Sequence, residues 1–304
     1  MHARAAIAML VVTACACGQQ RPKLTSVSHL SVYGADPAKT EQFYVHDLGA
    51  LKAADPQNPA GTRYYFNPLQ FVEVLPLPAS GNPKSRFDHA GFNTADAEAM
   101  RKYLGAHGIA VPAAVSRASD GSRYFEVQDP EGNQIEFVQP APAQLAVPAN
   151  PLSNHIIHVG FIVHNTALED AFYIGLLGFR PYWHGGAKED SADWISMQLP
   201  DGSDWIEYMT VKGPEKTGIP TGMSQDTAGV LNHFALGVQN MEQTFNLLYT
   251  GDRLNGKHSD PKIGRDGKWQ VNLYDPDGVR AELMEFQPVA KPCCSPFLLP
   301  GPTK

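Results

Sequence analysis

Four times along this chain a histidine opens an apolar, strand-like segment, and each time a glutamate interrupts a second such segment further on. The pairs are His29 with Glu73, His89 with Glu136, His158 with Glu207, and His233 with Glu282. Successive histidines stand 60, 69 and 75 residues apart. A repeat of this period describes one supersecondary unit duplicated four times, which places the same side chains in each copy. Imidazole nitrogen and carboxylate oxygen are both ligands for a divalent cation. With no sulfur in the set, Zn, Ni, Mn and Fe all suit the donors. Glu73 and Glu207 weigh most, because they lie inside the apolar runs Phe71-Val-Glu-Val-Leu75 and Trp205-Ile-Glu-Tyr-Met209. A carboxylate buried there costs free energy unless something neutralises it. Glu136 and Glu282 follow turns, where a glutamate is often simply solvated, and a strand histidine is often only a hydrogen-bonded core residue.

Each unit reads as a strand, a helix, then more strands. In the first, His29–Tyr33 is strand-like and Asp36-Pro37 forms a helix cap with proline at the first helical position. Phe43, Tyr44 and Leu48 give that helix an apolar face, and Gly49 closes it. The third unit repeats the pattern with His158–Val163, a cap at Asn165 or Thr166, then Phe172, Tyr173, Leu177 and Gly178. Helices of the second and fourth units run from about Thr94 to His107 and from about Asn240 to Tyr249. Both even units finish in an Asp-Pro-x-Gly turn, at Asp129 and Asp275. The result is an α+β chain of four βαβββ modules. A segment rich in proline and alanine, Gln139–Pro151, reads as a semi-rigid connection. It divides the chain into domains 25–139 and 153–288, joined by linker 140–152 and followed by an irregular tail, 289–304.

The 304 residues suffice for two domains that each bury a core. A net charge of −7, with no basic block, excludes nucleic acid as a partner. The four cysteines, Cys15, Cys17, Cys293 and Cys294, lie at the ends, so the globular middle has neither a disulfide nor a cysteine metal site. Cys293 and Cys294 could bond to each other, although a passive tail is the simpler reading. Residues 1–24 read as an export segment, with Arg4 before an apolar run from Ala5 to Ala14. A bilayer span needs roughly 20 apolar residues, more than this run supplies. Val12-Thr13-Ala14-Cys15 resembles a bacterial lipobox with Cys15 as the lipidated residue, the alternative being plain cleavage after Ala16. The expected location is the periplasm or a lipid anchor on a bacterial membrane, with no other membrane contact.

Taken together, His158-Val-Gly-Phe-Ile-Val with Phe172-Tyr173 and Leu177-Gly178-Phe179, and Asp129-Pro-Glu-Gly-Asn-Gln-Ile-Glu136, resemble the vicinal oxygen chelate superfamily. That superfamily includes glyoxalase I, bleomycin-resistance proteins and extradiol dioxygenases, and the resemblance spans about 25–139 and 153–288. It implies that modules pair edge to edge into two cupped mixed β-sheets with flanking helices, with ligands on the first and last strands of each module. His29, Glu73, His89 and Glu136 would then share one site, and His158, Glu207, His233 and Glu282 the other. Two His with two Glu is the glyoxalase I pattern. It implies a metal-dependent lyase or isomerase acting on a small molecule outside the cytoplasm. Glu207 or Glu282 would be the catalytic base of the second half, and Glu73 or Glu136 that of the first.

Two other classes compete with this reading. A sequestering protein of the bleomycin-resistance type needs an apolar cleft and no metal. An extradiol dioxygenase is disfavoured, because members of that class usually carry a tyrosine three positions before the Asp-Pro turn and a histidine upstream. Here Glu126 stands three before Asp129, Tyr274 abuts Asp275, and Gly264–Gln270 contains no histidine. All four tryptophans lie in the second half, and strand alternation puts Trp205 on the face of Glu207. Trp194, Trp205 and Trp269 are therefore the expected pocket walls, and the second half the better active site. Two modules per half allow a self-contained monomer, with a homodimer as the alternative.

Overall fold

The computed structural model describes residues 20–142, 145–211, 224–254 and 256–303. Residues 1–19 of the export segment, with Cys15 and Cys17, lie outside the described residues, and its last residue, Leu24, opens the first strand. The first module consists of β1 (Leu24–Gly34), α1 (Pro37–Glu41), β2 (Leu51–Ala54), β3 (Thr62–Asn67) and β4 (Gln70–Pro76). The second consists of β5 (Phe87–Thr94), α2 (Ala97–Ala106), β6 (Ser116–Arg117), β7 (Arg123–Gln128) and β8 (Gln134–Gln139). The third has β9 (Ile156–Val163), α3 (Thr166–Asp170), β10 (Arg180–Gly185), β11 (Trp194–Gln198) and β12 (Trp205–Thr210). A short helix α4 (Gln225–Leu231), absent from the sequence reading, precedes the fourth module. That module is β13 (His233–Val238), α5 (Met241–Thr250), β14 (Lys262–Ile263), β15 (Trp269–Tyr274) and β16 (Arg280–Glu285).

Local chemistry sets these boundaries. Asp36 caps α1 by accepting from the backbone N–H groups of Ala38 and Lys39, and Asn165 caps α3 through Leu168. Both helices widen into a π-helical turn, Gln42–Asp47 and Ala171–Leu176, which buries Phe43 with Tyr44 and Phe172 with Tyr173. The chain leaves them at Gly49 and Gly178, whose φ angles of 75° and 78° suit glycine. In the second module Thr94 ends the strand, and the helix begins after Asp96, whose side chain caps Ala99.

The strands form two eight-stranded sheets, in the orders β2-β3-β4-β1-β5-β8-β7-β6 and β10-β11-β12-β9-β13-β16-β15-β14. Within each module the last strand runs parallel to the first, and the two first strands of a sheet meet antiparallel. The strands carrying the eight His and Glu side chains are therefore the four central ones of each sheet. Duplication of the module thus concentrates the ligands.

One apolar core runs through both halves, and their junction has a pseudo-twofold plan. Each Asp-Pro-x-Gly turn docks under the helix of the other half. The hydroxyl of Tyr44 donates to Asp275 at 3.1 Å, and that of Tyr173 donates to Asp129 at 3.3 Å. Glu131 accepts from the backbone of His164 and Asn165, as Asp277 does from Ala35. Buried Glu169, packed beside Asp129, has its pKa pushed up to about 9, by burial first and then by the charges of Asp129 and Glu131.

Residues 287–303 form no helix or strand, yet they are not a passive tail. They lie along the second sheet, with the Leu298 N–H bonded to the Tyr182 carbonyl at 2.9 Å and the Phe297 ring 4.9 Å from that of Tyr182. Cys293 and Cys294 are joined as a disulfide within this segment. Among the described residues no helix is long and apolar enough to cross a membrane.

Candidate metal centres

In the second sheet the register lines side chains into two rows on the concave face. One row runs Ser196, Glu207, Gly160, His233, Arg280; the next runs Gln198, Trp205, His158, Ala235, Glu282, Asn272. The imidazole Nε2 atoms of His158 and His233 lie 3.0 Å apart. Glu207 Oε2 is 3.5 Å from His233 Nε2, and Glu282 Oε2 is 3.6 Å from His158 Nε2. Room for the His233 ring exists only because Gly160 stands opposite. A Cβ there would lie 2.1 Å from His233 Cε1.

Protonation fits a cation. His233 Nδ1 is 2.9 Å from the Leu231 carbonyl, which can only accept, so the proton is on Nδ1 and the Nε2 lone pair faces inward. Burial, and then the charge of Arg280 and of neighbouring groups, holds both imidazoles well below their usual pKa. Burial also raises Glu207 and takes Glu282 up to about 7. Two nitrogens held at about 2.1 Å from one ion, at right angles to each other, lie about 3.0 Å apart, which is the separation seen. Two neutral imidazoles and the Glu207 carboxylate therefore fit a divalent ion, with Glu282 3.6 Å from His158 Nε2, and the ion would relieve the cost of burying the carboxylates.

The first sheet has the same plan. His29 and His89 bring Nε2 atoms to 2.8 Å, and His89 Nε2 is 3.8 Å from Glu73 and 3.7 Å from Glu136. His29, Glu73 and His89, like His158, Glu207 and His233, form a group able to hold a metal ion. The surroundings differ. Arg63 occupies the register position that Ser196 has in the second sheet. Its guanidinium, almost fully buried, lies 3.0 Å from Asp55 and 3.5 Å from Glu73 and stacks over Phe71. Ser31 donates to Glu73 at 2.6 Å, and Gln57 donates to Glu136 at 2.9 Å. Burial opposes protonation of His89, but the Asp88 carboxylate on its Nδ1, with Glu136 and Glu73, outweighs it and takes the pKa up to about 9. The first cup thus carries cations of its own.

Access follows that difference. A cavity of about 450 Å³ opens onto Glu207 and Glu282, with Trp194, Trp205, Met209 and Phe297 among its walls. On the first half a cavity of about 410 Å³ reaches Arg63 and Phe71 but none of the four His and Glu side chains. Trp194 and Trp205 both line the cavity of the second half. Trp269 does not. Strand parity puts Lys268, Gln270 and Asn272 on the concave face and turns Trp269 onto the core side, where it packs against the main apolar cluster.

Besides Arg63 in the first cup, two cations of the second were missed by sequence reasoning. Lys268 is fully buried, its Nζ 4.8 Å from the centre of the Trp205 ring and 5.0 Å from that of Phe297. Arg280 is half-buried and lines the cavity two residues before Glu282. The signal for Arg280 was its parity with Glu282; Lys268 gave none, because its cover comes from the distant tail.

The chain belongs to the Glyoxalase/Bleomycin resistance protein/Dioxygenase superfamily, whose model matches residues 26–137 and 155–283. Its fold is similar to that of the 2,3-dioxygenase LapB from Pseudomonas sp. KL28, with a TM-score of 0.63 at 15% identity, covering 90% of this chain and 97% of that one. It is also similar to the 2,2',3-trihydroxybiphenyl 1,2-dioxygenase of Sphingomonas wittichii strain RW1, with a TM-score of 0.62 at 14% identity, covering 86% and 91%. A third similar structure is the Mn(II)-bound glyoxalase from Novosphingobium aromaticivorans, with a TM-score of 0.59 at 17% identity, covering 87% and 83%. No curated protein sequence matches this chain significantly. At these identities the structural likeness establishes the fold alone.

Proposed function

We propose that the protein is a metal-dependent lyase or isomerase of glyoxalase type, working in its second cup on a small molecule outside the cytoplasm. The observation that carries this reading is the set of two imidazoles and two carboxylates at the floor of a cavity that reaches both glutamates. A divalent ion held by His158, Glu207, His233 and Glu282 would supply Lewis acidity to a substrate carbonyl oxygen. The chain's own contribution is the proton. Glu207 and Glu282 approach the two imidazoles from opposite sides, so a carboxylate oxygen of either can take a proton from one carbon and return it to the next. The Ser196 hydroxyl holds Glu207 at 3.3 Å, whereas among the described residues no side chain donates to Glu282. Glu282 is therefore the freer of the two to move. A ring-cleaving dioxygenase centre uses two histidines with one carboxylate, and the second carboxylate, Glu282, is what supports the isomerase reading over that one.

Deuterium exchange tests the proposal. Protein loaded in turn with Zn, Ni, Mn and Fe is expected to catalyse solvent exchange at the carbon next to the carbonyl in small 2-hydroxycarbonyl compounds, read by NMR. Glu282→Gln should slow exchange by roughly 10²- to 10⁴-fold with metal retained. Oxygen uptake with catechols by the Fe-loaded protein, without exchange under any metal, would overturn the reading. Export is a separate part of the proposal. Mass spectrometry of the membrane fraction should find an acylated N-terminus at Cys15, and an unmodified mature N-terminus would refute the anchor.

A further inference from the structure

The second cup presents a half-buried arginine to its cavity. Arg280 follows His233 in the row of side chains on the concave face and lines the cavity. Among the described residues no hydrogen bond or ion pair engages its guanidinium, and its buried Nε has no partner. Of the other cations near the cavity, Lys262 stands exposed at its edge, Lys268 is buried with no hydrogen-bond partner for its Nζ, and Arg265 is engaged. Arg265 binds the Gly186 carbonyl at 3.1 Å and Glu189 at 3.2 Å. Lys268 lies behind the Trp205 and Phe297 rings with Asp266 as its nearest charge balance. Glu207 and Glu282 would be neutralised by a divalent ion. That leaves the Arg280 guanidinium lining the cavity with no ion-pair partner of its own among the described residues.

This charge is particular to the second cup. The register position of Arg280 in the first sheet is held by neutral Gln134, beside His89 as Arg280 is beside His233. A planar guanidinium with free donors matches a carboxylate, which it can bind through two parallel hydrogen bonds. The walls of the same cavity, Trp194 and Trp205 with Tyr182 and Phe297, suit a flat apolar body.

We propose that the second cup selects small aromatic carboxylates, and that Arg280 binds their carboxylate group while the aromatic walls hold the ring. The proposal rests on the reading of this cup as a small-molecule site and names the substrate class. Arg280 is a specificity residue here and holds no metal.

The test is titration of the metal-loaded protein, followed by tryptophan fluorescence and calorimetry, with benzoate and phenylglyoxylate, their neutral amides, and phenyl phosphate. Metal content is measured on each sample. Wild type should bind the carboxylates at least about tenfold more tightly than the amides and more tightly than phenyl phosphate, in keeping with charge-assisted hydrogen bonds. Arg280→Gln installs the side chain that the first sheet already accommodates at this register. It should remove the preference, leaving amide affinity and metal content unchanged. Arg280→Lys, which keeps the charge without the fork, should give an intermediate loss. Equal affinity of wild type for acid and amide would overturn the proposal. So would a carboxylate preference that survives in Arg280→Gln, since the acid would then be binding elsewhere, or a stronger preference for phenyl phosphate. Failure of the metal reading shows separately, as protein that takes up no metal yet still discriminates acid from amide through Arg280.

Discussion

Alanine at both His158 and His233 is expected to bring the metal content of the purified protein from about one ion per chain to below about 0.2, while His29→Ala with His89→Ala leaves it near one. Elemental analysis after growth with Zn, Ni, Mn and Fe supplied is the measurement. The expectation follows from how the two pairs are held. His233 has its proton fixed on Nδ1 by the Leu231 carbonyl, and it meets His158 with a lone pair directed into the cup. His89 faces Asp88, Glu73 and Glu136, which stabilise its imidazolium, and a proton between His89 and His29 already satisfies their 2.8 Å contact. Gly160→Ala should reach the same end without touching a ligand. Its Cβ would stand 2.1 Å from His233 Cε1, and the fully buried ring has little room to give way. Equal metal loss from the two histidine pairs would sink the ranking of the cups.

Much of this arrangement was legible in the sequence because it depends on period and parity. The spacing of the histidines, the capped helices and the Asp-Pro-x-Gly turns give four modules, and the family resemblance adds their pairing into cups. Once the first and last strands of each module are known to be neighbours, the convergence of the four His and Glu side chains in each sheet follows. The reading failed where position depends on what lies across a sheet or far along the chain. Trp269 was assigned by counting tryptophans in a half, whereas its parity with Val271 puts it in the core. Arg63 could be recognised only from the register of the β3–β4 hairpin, which brings it opposite Glu73. Lys268 sits after an Asp-Gly turn that reads as surface, and Phe297 from the tail buries it. The π-helical turns depend on i→i+5 hydrogen bonding, which leaves no periodic mark over a single turn.

Arg63→Ser, which gives the first cup the residue that the second has in that register, is expected to raise the metal content from about one ion per chain towards two. Wild-type Arg63 is a buried cation ion-paired with Asp55 and near Glu73. Its removal leaves two buried carboxylates uncompensated, a change that typically costs about 3–5 kcal/mol. Without metal, the variant should therefore unfold at a distinctly lower temperature than wild type. Added Mn or Zn should restore much of that loss, because a ligand that binds only the folded state stabilises it in proportion to the logarithm of its concentration over Kd. Differential scanning fluorimetry against metal concentration reads both effects, and Arg63→Met, equally uncharged but too bulky to open the cup, separates loss of charge from gain of space. If Arg63→Ser is destabilised but takes up no second ion, the arginine is only a structural counter-charge. If it takes up the ion and recovers, the two cups have met one electrostatic demand in two ways, a fixed guanidinium in the first and an exchangeable metal in the second. Only the exchangeable solution would leave an open position beside the carboxylates, and that outcome would place the chemistry in the half in which serine replaces arginine.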